Sequence, residues 1–151
     1  MNFALNEIAV SRKNTTSMIT VETFLDGEYL TSYWSDGLII STPTGSTAYS
    51  LSSGGPSLHP GLDAIVWVPI CPHTMSQRPI VIDGDSDIEI RISDKNHGDA
   101  LVTCDGQLNV NLGIGDSVRI TKNQTPVHMI HPADYNYYEI LRAKLHWGHR
   151  L

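Results

Sequence analysis

Cysteine is scarce in this chain of 151 residues: Cys71 and Cys104 are the only two. Two thiols that far apart give neither a disulfide framework nor a zinc site, so two buried, unreactive thiols in a reducing cytoplasm are expected. Positive charge is also short. The chain has 10 Lys and Arg against 16 Asp and Glu, a formal net charge of -6. That balance argues against nucleic acid as a partner. No apolar run nears the roughly 18 residues of a membrane-spanning helix, so no membrane partner is expected. The first residues hold no basic stretch and no long apolar run, and do not read as a secretory signal. Charged residues make up 17% and hydrophobic residues 40%, which is a globular composition. The length fits one domain with a real core. There is no internal repeat and no low-complexity segment.

Several catalytic signatures are missing. No Gly-x-x-x-x-Gly-Lys-[Ser/Thr] is present, so residues 43–49 are not a Walker loop. Ser46 follows Gly45 but precedes Thr47, so it is not a hydrolase nucleophile elbow. Seven histidines (59, 73, 97, 128, 131, 146 and 149) show no His-Glu-x-x-His or similar spacing. His128 and His131 alone are a weak metal signal, and structural or surface roles are expected for all seven. Glu7, Asp36 and Asp105 each read singly as turn formers beside a Gly or an Asn. Together they flank breaks next to apolar strands, a common setting for a ligand cleft.

What the chain has in abundance is hydroxyl, concentrated in one place. Residues 41–53 carry nine hydroxyl side chains in thirteen positions: Ser41, Thr42, Thr44, Ser46, Thr47, Tyr49, Ser50, Ser52 and Ser53. Gly45, Gly54 and Gly55 let the backbone approach closely. Such a stretch offers neutral hydrogen bonds without positive charge. That suits a ribose or a base; on composition alone it also fits a surface loop.

Around it the pattern is that of short strands. Residues 3–10 read as a strand interrupted by Asn6-Glu7, followed by a polar loop at 12–16. Residues 18–25 alternate, with Ile19, Val21, Thr23 and Leu25 on one face, and Asp26-Gly27 closes a hairpin with 28–34. Short strands are expected at 38–40 and 64–70. Residues 80–82 and 88–92 are expected to pair across the Asp83-Gly84 turn. Residues 101–104 and 107–112 form a hairpin around Asp105-Gly106, and 117–120 and 127–130 complete the set. Ser46 or Thr47 could cap a short helix within the hydroxyl-rich stretch. After Pro132 the period lengthens: Asp134 is expected to cap a helix carrying Tyr137 or Tyr138, Leu141 and Leu145, ended by Gly148. The fold class is therefore mainly β, a two-sheet β-sandwich with an elaborated Gly/Ser/Thr loop and one C-terminal helix.

The run Asp36-Gly-Leu-Ile-Ile-Ser-Thr-Pro-Thr-Gly-Ser-Thr-Ala-Tyr-Ser50, followed by Gly54-Gly55-Pro56, closely resembles the C-terminal region of bacterial NAD kinases. Asn6-Glu7, Pro72-His73-Thr74 with Arg78-Pro79, Cys104-Asp105-Gly106-Gln107 and His131-Pro132-x-Asp134-Tyr135 fall in that family's order and spacing. The resemblance covers essentially the whole chain. It implies phosphorylation of the adenosine ribose 2'-hydroxyl of NAD by ATP (or polyphosphate in some members) to give NADP. It also implies Mg²⁺ or another divalent cation with the ATP, and a homodimer or homotetramer.

Carried over by motif, the resemblance implies a role for each matching residue. Asn6 and Glu7 would hold the adenosine and orient the hydroxyl that is phosphorylated. Thr44, Thr47 and Ala48 would contact the adenine. Tyr49 and Ser52 would line the dinucleotide channel, with Ser50 and Leu51 between them also against NAD. Asp36 would bind the nicotinamide amide from a neighbouring subunit, and Gln107 would lie near the same pocket. Two departures stand out. Trp34 occupies a position where many members have a basic residue, which removes a charge contact to the pyrophosphate. The family's Gly-Gly-Asp-Gly motif, with the Asp taken as general base, is absent. The whole chain, 1–151, is therefore expected to be the NAD-binding C-terminal domain, separated from an N-terminal α/β domain and inactive alone. The alternatives are a non-enzymatic dinucleotide-binding or oligomerisation module and, less well matched, a lipid kinase domain.

Overall fold

Alternation of period two sets the strands, and the runs buried on both faces set the middle of the larger sheet. A computed structural model describes residues 1–13 and 16–148. Ten strands lie among them: β1 (Glu7–Arg12), β2 (Ile19–Leu25), β3 (Glu28–Ser35), β4 (Gly37–Ser41), β5 (Ala64–Ile70), β6 (Ile80–Asp83), β7 (Ile88–Ile92), β8 (Ala100–Cys104), β9 (Leu108–Leu112) and β10 (Ser117–Ile120). A 3-10 turn at Thr44–Thr47, a one-turn helix α1 (Tyr49–Ser52) and a helix α2 (Tyr137–Leu145) complete the fold. The strands form two antiparallel sheets, of order β6-β5-β4-β1-β8-β9 and β10-β7-β2-β3.

The core lies between the sheets. Val10, Leu38, Ile40, Trp67 and Val102 face Val21, Tyr33, Ile88, Ile90 and Ile92. The neighbours of those residues on β1, β4 and β5 point the other way, and Ala9, Ile39, Val66 and Val68 make a second buried cluster with Leu58. The middle of the larger sheet is thus apolar on both faces. Its outer face is covered by the hydroxyl-rich stretch and the segment that follows it. Pro69 is accommodated within β5 because its ladder with β6 ends at Trp67↔Ile80, before the missing N–H would be needed. Asp26 and Gly27 both have positive φ, 52° and 82°, as a two-residue hairpin turn requires.

The structure departs from the sequence reading at several points. Residues 3–6 are not a strand: β1 starts at Glu7, where pairing to Ser41 begins. β6 and β7 are not a hairpin. The carboxylate of Asp83 accepts from the amide of Asp85 at 2.8 Å, and the turn hands the chain from one sheet to the other. Residues 127–130 form no strand, and Val127, Met129 and Ile130 are exposed. Pro126 lacks a donor for a strand ladder, and Lys122 is tied at 2.8 Å to Asp63, just before the start of β5. Cys71 is exposed rather than buried; Cys104 is buried, and both are free. Neither Ser46 nor Thr47 caps α1. Helix α2 is capped by Asn136, not Asp134, through the amides of Tyr138 and Glu139. Its left-handed end is His146, two residues before Gly148. His149 lies outside the described residues.

Candidate functional site

Three strands stop side by side at one end of the larger sheet. β1 lies between β4 and β8, with Glu7 opposite Ser41 and Ile8 opposite Cys104. The register therefore brings Asn6-Glu7, Thr42 and its following turn, and Asp105-Gly106-Gln107 to a common edge. Hydrogen bonds lock the three together. The Thr42 amide donates to the Asn6 carbonyl at 2.9 Å. The Thr42 hydroxyl donates to the Leu5 carbonyl at 2.7 Å and accepts from the Gly45 amide at 3.1 Å. Gly45 presses on Asn6 so closely that a Cβ there would lie 2.1 Å from the Asn6 carbonyl oxygen. On the other side, the Asp105 carboxylate accepts from the amides of Leu5, Asn6 and Glu7 at 2.7, 2.8 and 2.9 Å.

The nine hydroxyls divide into two groups. Ser41, Thr42 and Ser46 are consumed by the fold. The Ser46 hydroxyl donates to the Pro43 carbonyl at 2.6 Å and accepts from the Leu58 amide at 2.8 Å. Ser50 is fully buried, packed at Gly55, and its Oγ has no hydrogen-bond partner. Thr44, Thr47 and Ala48 are half-buried on the turn, and Tyr49 and Ser52 are exposed with half-buried Leu51 between them. Thr47 receives the Lys144 ammonium at 3.2 Å. The α2 helix is also docked by the Tyr137 hydroxyl on the Leu58 carbonyl at 3.3 Å. The C-terminal helix thus lies beside the turn that carries Thr44 to Ala48.

Glu7 is the electrostatically unusual member. Its Oε2 is buried without a partner, and burial, followed by the negative charge of Asp105, raises its pKa above the ordinary value. An unsatisfied buried carboxylate oxygen at the junction of three loops is the feature a hydroxyl-bearing ligand would complete. The same two causes, in the same order, raise the Cys104 thiol. Gln107 follows in the exposed turn, its amide donating to the Cys104 carbonyl at 3.0 Å.

Asp36 is not brought to this edge. It precedes β4, whereas Thr42 follows it, so the two stand six residue steps apart across the strand, about 20 Å. There it pairs with Arg12 at 3.3 Å, and its amide donates to the Ile70 carbonyl at 3.0 Å. Trp34 is half-exposed nearby and packs on His73 with ring centroids 4.2 Å apart. A cavity of about 760 Å³ lies between residues of both sheets; Ile8, Val102, Val110, Val118 and Ile120 line it together with charged Asp85, Asp87, Arg119 and Lys122, and none of the expected NAD residues does. Among the described residues no cluster of three or more His, Cys, Asp or Glu side chains could hold a metal ion, and no helix is long and apolar enough to cross a membrane. Sequence reasoning treated Asp105 as a turn former and missed its carboxylate as an anchor for residues a hundred positions earlier; the visible signal was only Asp-Gly. The Lys144 contact had no signal in the sequence.

Comparison with known proteins places this geometry in a family. Residues 5–132 match the model described as the ATP-NAD kinase C-terminal domain. NAD kinases of Azotobacter vinelandii and of Pseudomonas aeruginosa PAO1 are 51% and 50% identical to the chain over 148 residues, 98% of its length and 50% of theirs. The chain therefore spans about half the length of these relatives. Among solved structures, a yeast NADH kinase complexed with NADH superimposes with TM-score 0.72 at 39% identity, over 77% of this chain and 33% of that one. An NAD kinase from Archaeoglobus fulgidus in complex with ATP gives 0.73 at 35% identity, over 82% and 47%.

Proposed function

The chain belongs to the ATP-NAD kinase C-terminal domain family, and from that premise we propose that it supplies the NAD-binding half of an NAD kinase. In this reading residues 1–151 form one NAD-binding domain, which presents NAD so that the 2'-hydroxyl of its adenosine ribose receives the terminal phosphoryl group of ATP. The observation that carries the reading is the meeting of Asn6-Glu7, the Thr42–Thr47 turn and Gln107 at one sheet edge, with the Glu7 carboxylate left partly unsatisfied. Glu7 would accept from ribose hydroxyls, and Asn6 can both donate and accept. Thr44, Thr47 and Ala48 would offer neutral contacts to the adenine. Tyr49, Leu51 and Ser52 would flank the dinucleotide, with buried Ser50 supporting them from below. Asp36, about 20 Å away along β4, would bind the nicotinamide amide of NAD held by a second copy, which makes a homodimer or homotetramer the working form. Free Cys71 and Cys104 fit a reducing cytoplasm.

The donor site and the general base would lie in the half of the relatives that this chain does not match. In-line phosphoryl transfer needs a positioned nucleophile and charge neutralisation, and the sequence holds no Gly-rich phosphate cradle. A divalent cation would arrive with ATP. The described residues include no cluster of three or more His, Cys, Asp or Glu side chains suited to it. Incubating the chain with NAD, ATP and Mg²⁺ should give no NADP above background, while calorimetry should detect NAD binding. Sustained NADP formation would overturn the division of labour, and absence of any NAD binding would overturn the acceptor-site reading itself.

A further inference from the structure

We propose that Asp105 is the positioning residue of the acceptor site: its carboxylate fixes the backbone of residues 5–7 so that the Asn6 and Glu7 side chains stand against the Thr42–Thr47 turn. The proposal rests on the reading of Asn6 and Glu7 as substrate-binding residues and adds what holds them in place.

The need for such a residue follows from the strand boundary. The ladders that pair β1 with β4 and β8 begin at Glu7 and Ile8 respectively. The amides of Leu5 and Asn6 therefore have no strand partner, and for half-buried Asn6 an unpaired backbone donor is costly. One carboxylate meets all three amides of residues 5–7, at 2.7, 2.8 and 2.9 Å. Bonds to an ionised acceptor are roughly twice as strong as neutral ones. The Asn6 carbonyl is held from the opposite side by the Thr42 amide at 2.9 Å. Asn6 is thus fixed at both its N–H and its C=O, and its side chain is the part left to meet a ligand.

A turn former alone would not need this arrangement. The β8–β9 turn requires left-handed backbone at Asp105 and Gly106, where φ is 49° and 66°. Asn adopts that conformation as readily as Asp does. The turn bond, Gln107 amide to Cys104 carbonyl at 3.0 Å, and the Asp105 amide's cross-strand bond to the Glu7 carbonyl, also 3.0 Å, use the main chain only. The carboxylate is spent wholly on residues 5–7. Its charge also acts on Glu7, whose proton affinity it raises after burial has done so.

Asp105→Asn separates the two roles, because it keeps the turn and removes the charge and one acceptor oxygen. The first measurement is amide hydrogen exchange on the chain. Residues 5–7 should exchange about tenfold faster or more in the variant, with the amides of β8 and β9 unchanged. Uniform acceleration across the domain, or no change at residues 5–7, would overturn the proposal. The second is NAD affinity by calorimetry in a double-variant cycle with Asn6→Ala. Asp105→Asn should raise the Kd about tenfold alone and less than threefold when Asn6→Ala is already present. An equal loss in the parent, in Asn6→Ala and in Asn6→Ala with Glu7→Gln would mean that Asp105 acts through neither side chain, and would refute the positioning role. If Asp105→Asn does not fold, Asp105→Glu keeps the charge and displaces the carboxylate by one methylene; the same local exchange change is expected, and protection equal to that of the parent chain would overturn the proposal. If the parent chain binds no NAD, the acceptor-site reading fails and takes the functional half of the proposal with it. Exchange at residues 5–7 then decides by itself whether Asp105 holds the segment.

Discussion

At the scale of the residue, Gly45 and Glu7 show two ways in which the site edge constrains the sequence. A Cβ at position 45 would meet the backbone of Asn6, with the carbonyl oxygen at 2.1 Å and Cα at 2.6 Å. No side-chain rotation relieves a clash with main chain that is itself held by Thr42 and Asp105. Gly45→Ala should therefore cost about 1–3 kcal/mol in urea denaturation, and an unchanged midpoint and slope would show that Asn6 can move aside. Glu7 is constrained by charge. Its ionised form is penalised in the folded protein, first by burial and then by Asp105. The folded state consequently keeps the Glu7 proton to higher pH than the unfolded chain does. The stability contributed by the protonated form is present below the ordinary value of 4.5 and is lost as pH rises through the raised folded value. Relative to the parent chain, Glu7→Gln should thus be more stabilising at pH 7 than at pH 4 in thermal melts. A difference in melting temperature that is constant with pH, or that runs the other way, would contradict an ionised, partly desolvated Glu7.

At the scale of the element, alternation was a reliable guide where it met a facing sheet. β2 and β7 bury Val21, Thr23, Ile88, Ile90 and Ile92 at every second position, and the period alone marked them. β4 and β5 are buried on both faces, so the continuous apolar runs at 38–40 and 64–70 were legible as buried strands, the second as a central one. The same signal misled at 127–130, because alternation says which face is apolar but not whether another strand lies alongside. It also misled at 80–92, where a turn of ordinary composition joins different sheets. Helix α2 was legible as a helix through Leu141 and Leu145, but its cap was displaced by two residues, since Asp134 and Asn136 are equally good caps on paper. Asn136 accepts from the amides of Tyr138 and Glu139 at 3.0 and 3.2 Å. Asn136→Ala should destabilise the helix by about 1 kcal/mol. Because α2 buries only Leu141, the loss should appear as faster amide exchange within α2 and not as lower global stability. An equal effect on the β-sheet amides would mean that the helix and sandwich unfold as one unit. At the candidate site, the order of hydroxyls and glycines singled out the stretch that the structure lays against Asn6. Which hydroxyls face inward could not be read, because Ser46 and Ser50 are selected by contacts with Leu58 and Gly55 that are remote from any periodicity.

At the scale of the whole molecule, the unequal sheets explain where the candidate site lies. The larger sheet needs a cover on its outer face as well as a partner on its inner one, and the stretch from Thr42 to Leu58 provides the cover. Covering the sheet there carries the Thr42–Thr47 turn onto Asn6 and leaves Thr44 half-buried and Tyr49 and Ser52 exposed. The same geometry puts Asp36 at the far end of β4, beyond the reach of that edge within one copy. On the proposed reading, the edge would bind the adenosine side of NAD, and Asp36 would serve a neighbouring copy. The direct test is a titration of NAD into isotopically labelled chain, followed by the backbone amide resonances. Shifts should concentrate on Asn6, Glu7, residues 44–52 and Gln107, and should reach Asp36 only at concentrations where the chain self-associates. Shifts centred instead on the apolar cavity near Val102, Val110 and Val118, with residues 6, 7 and 44–52 unmoved, would contradict the account.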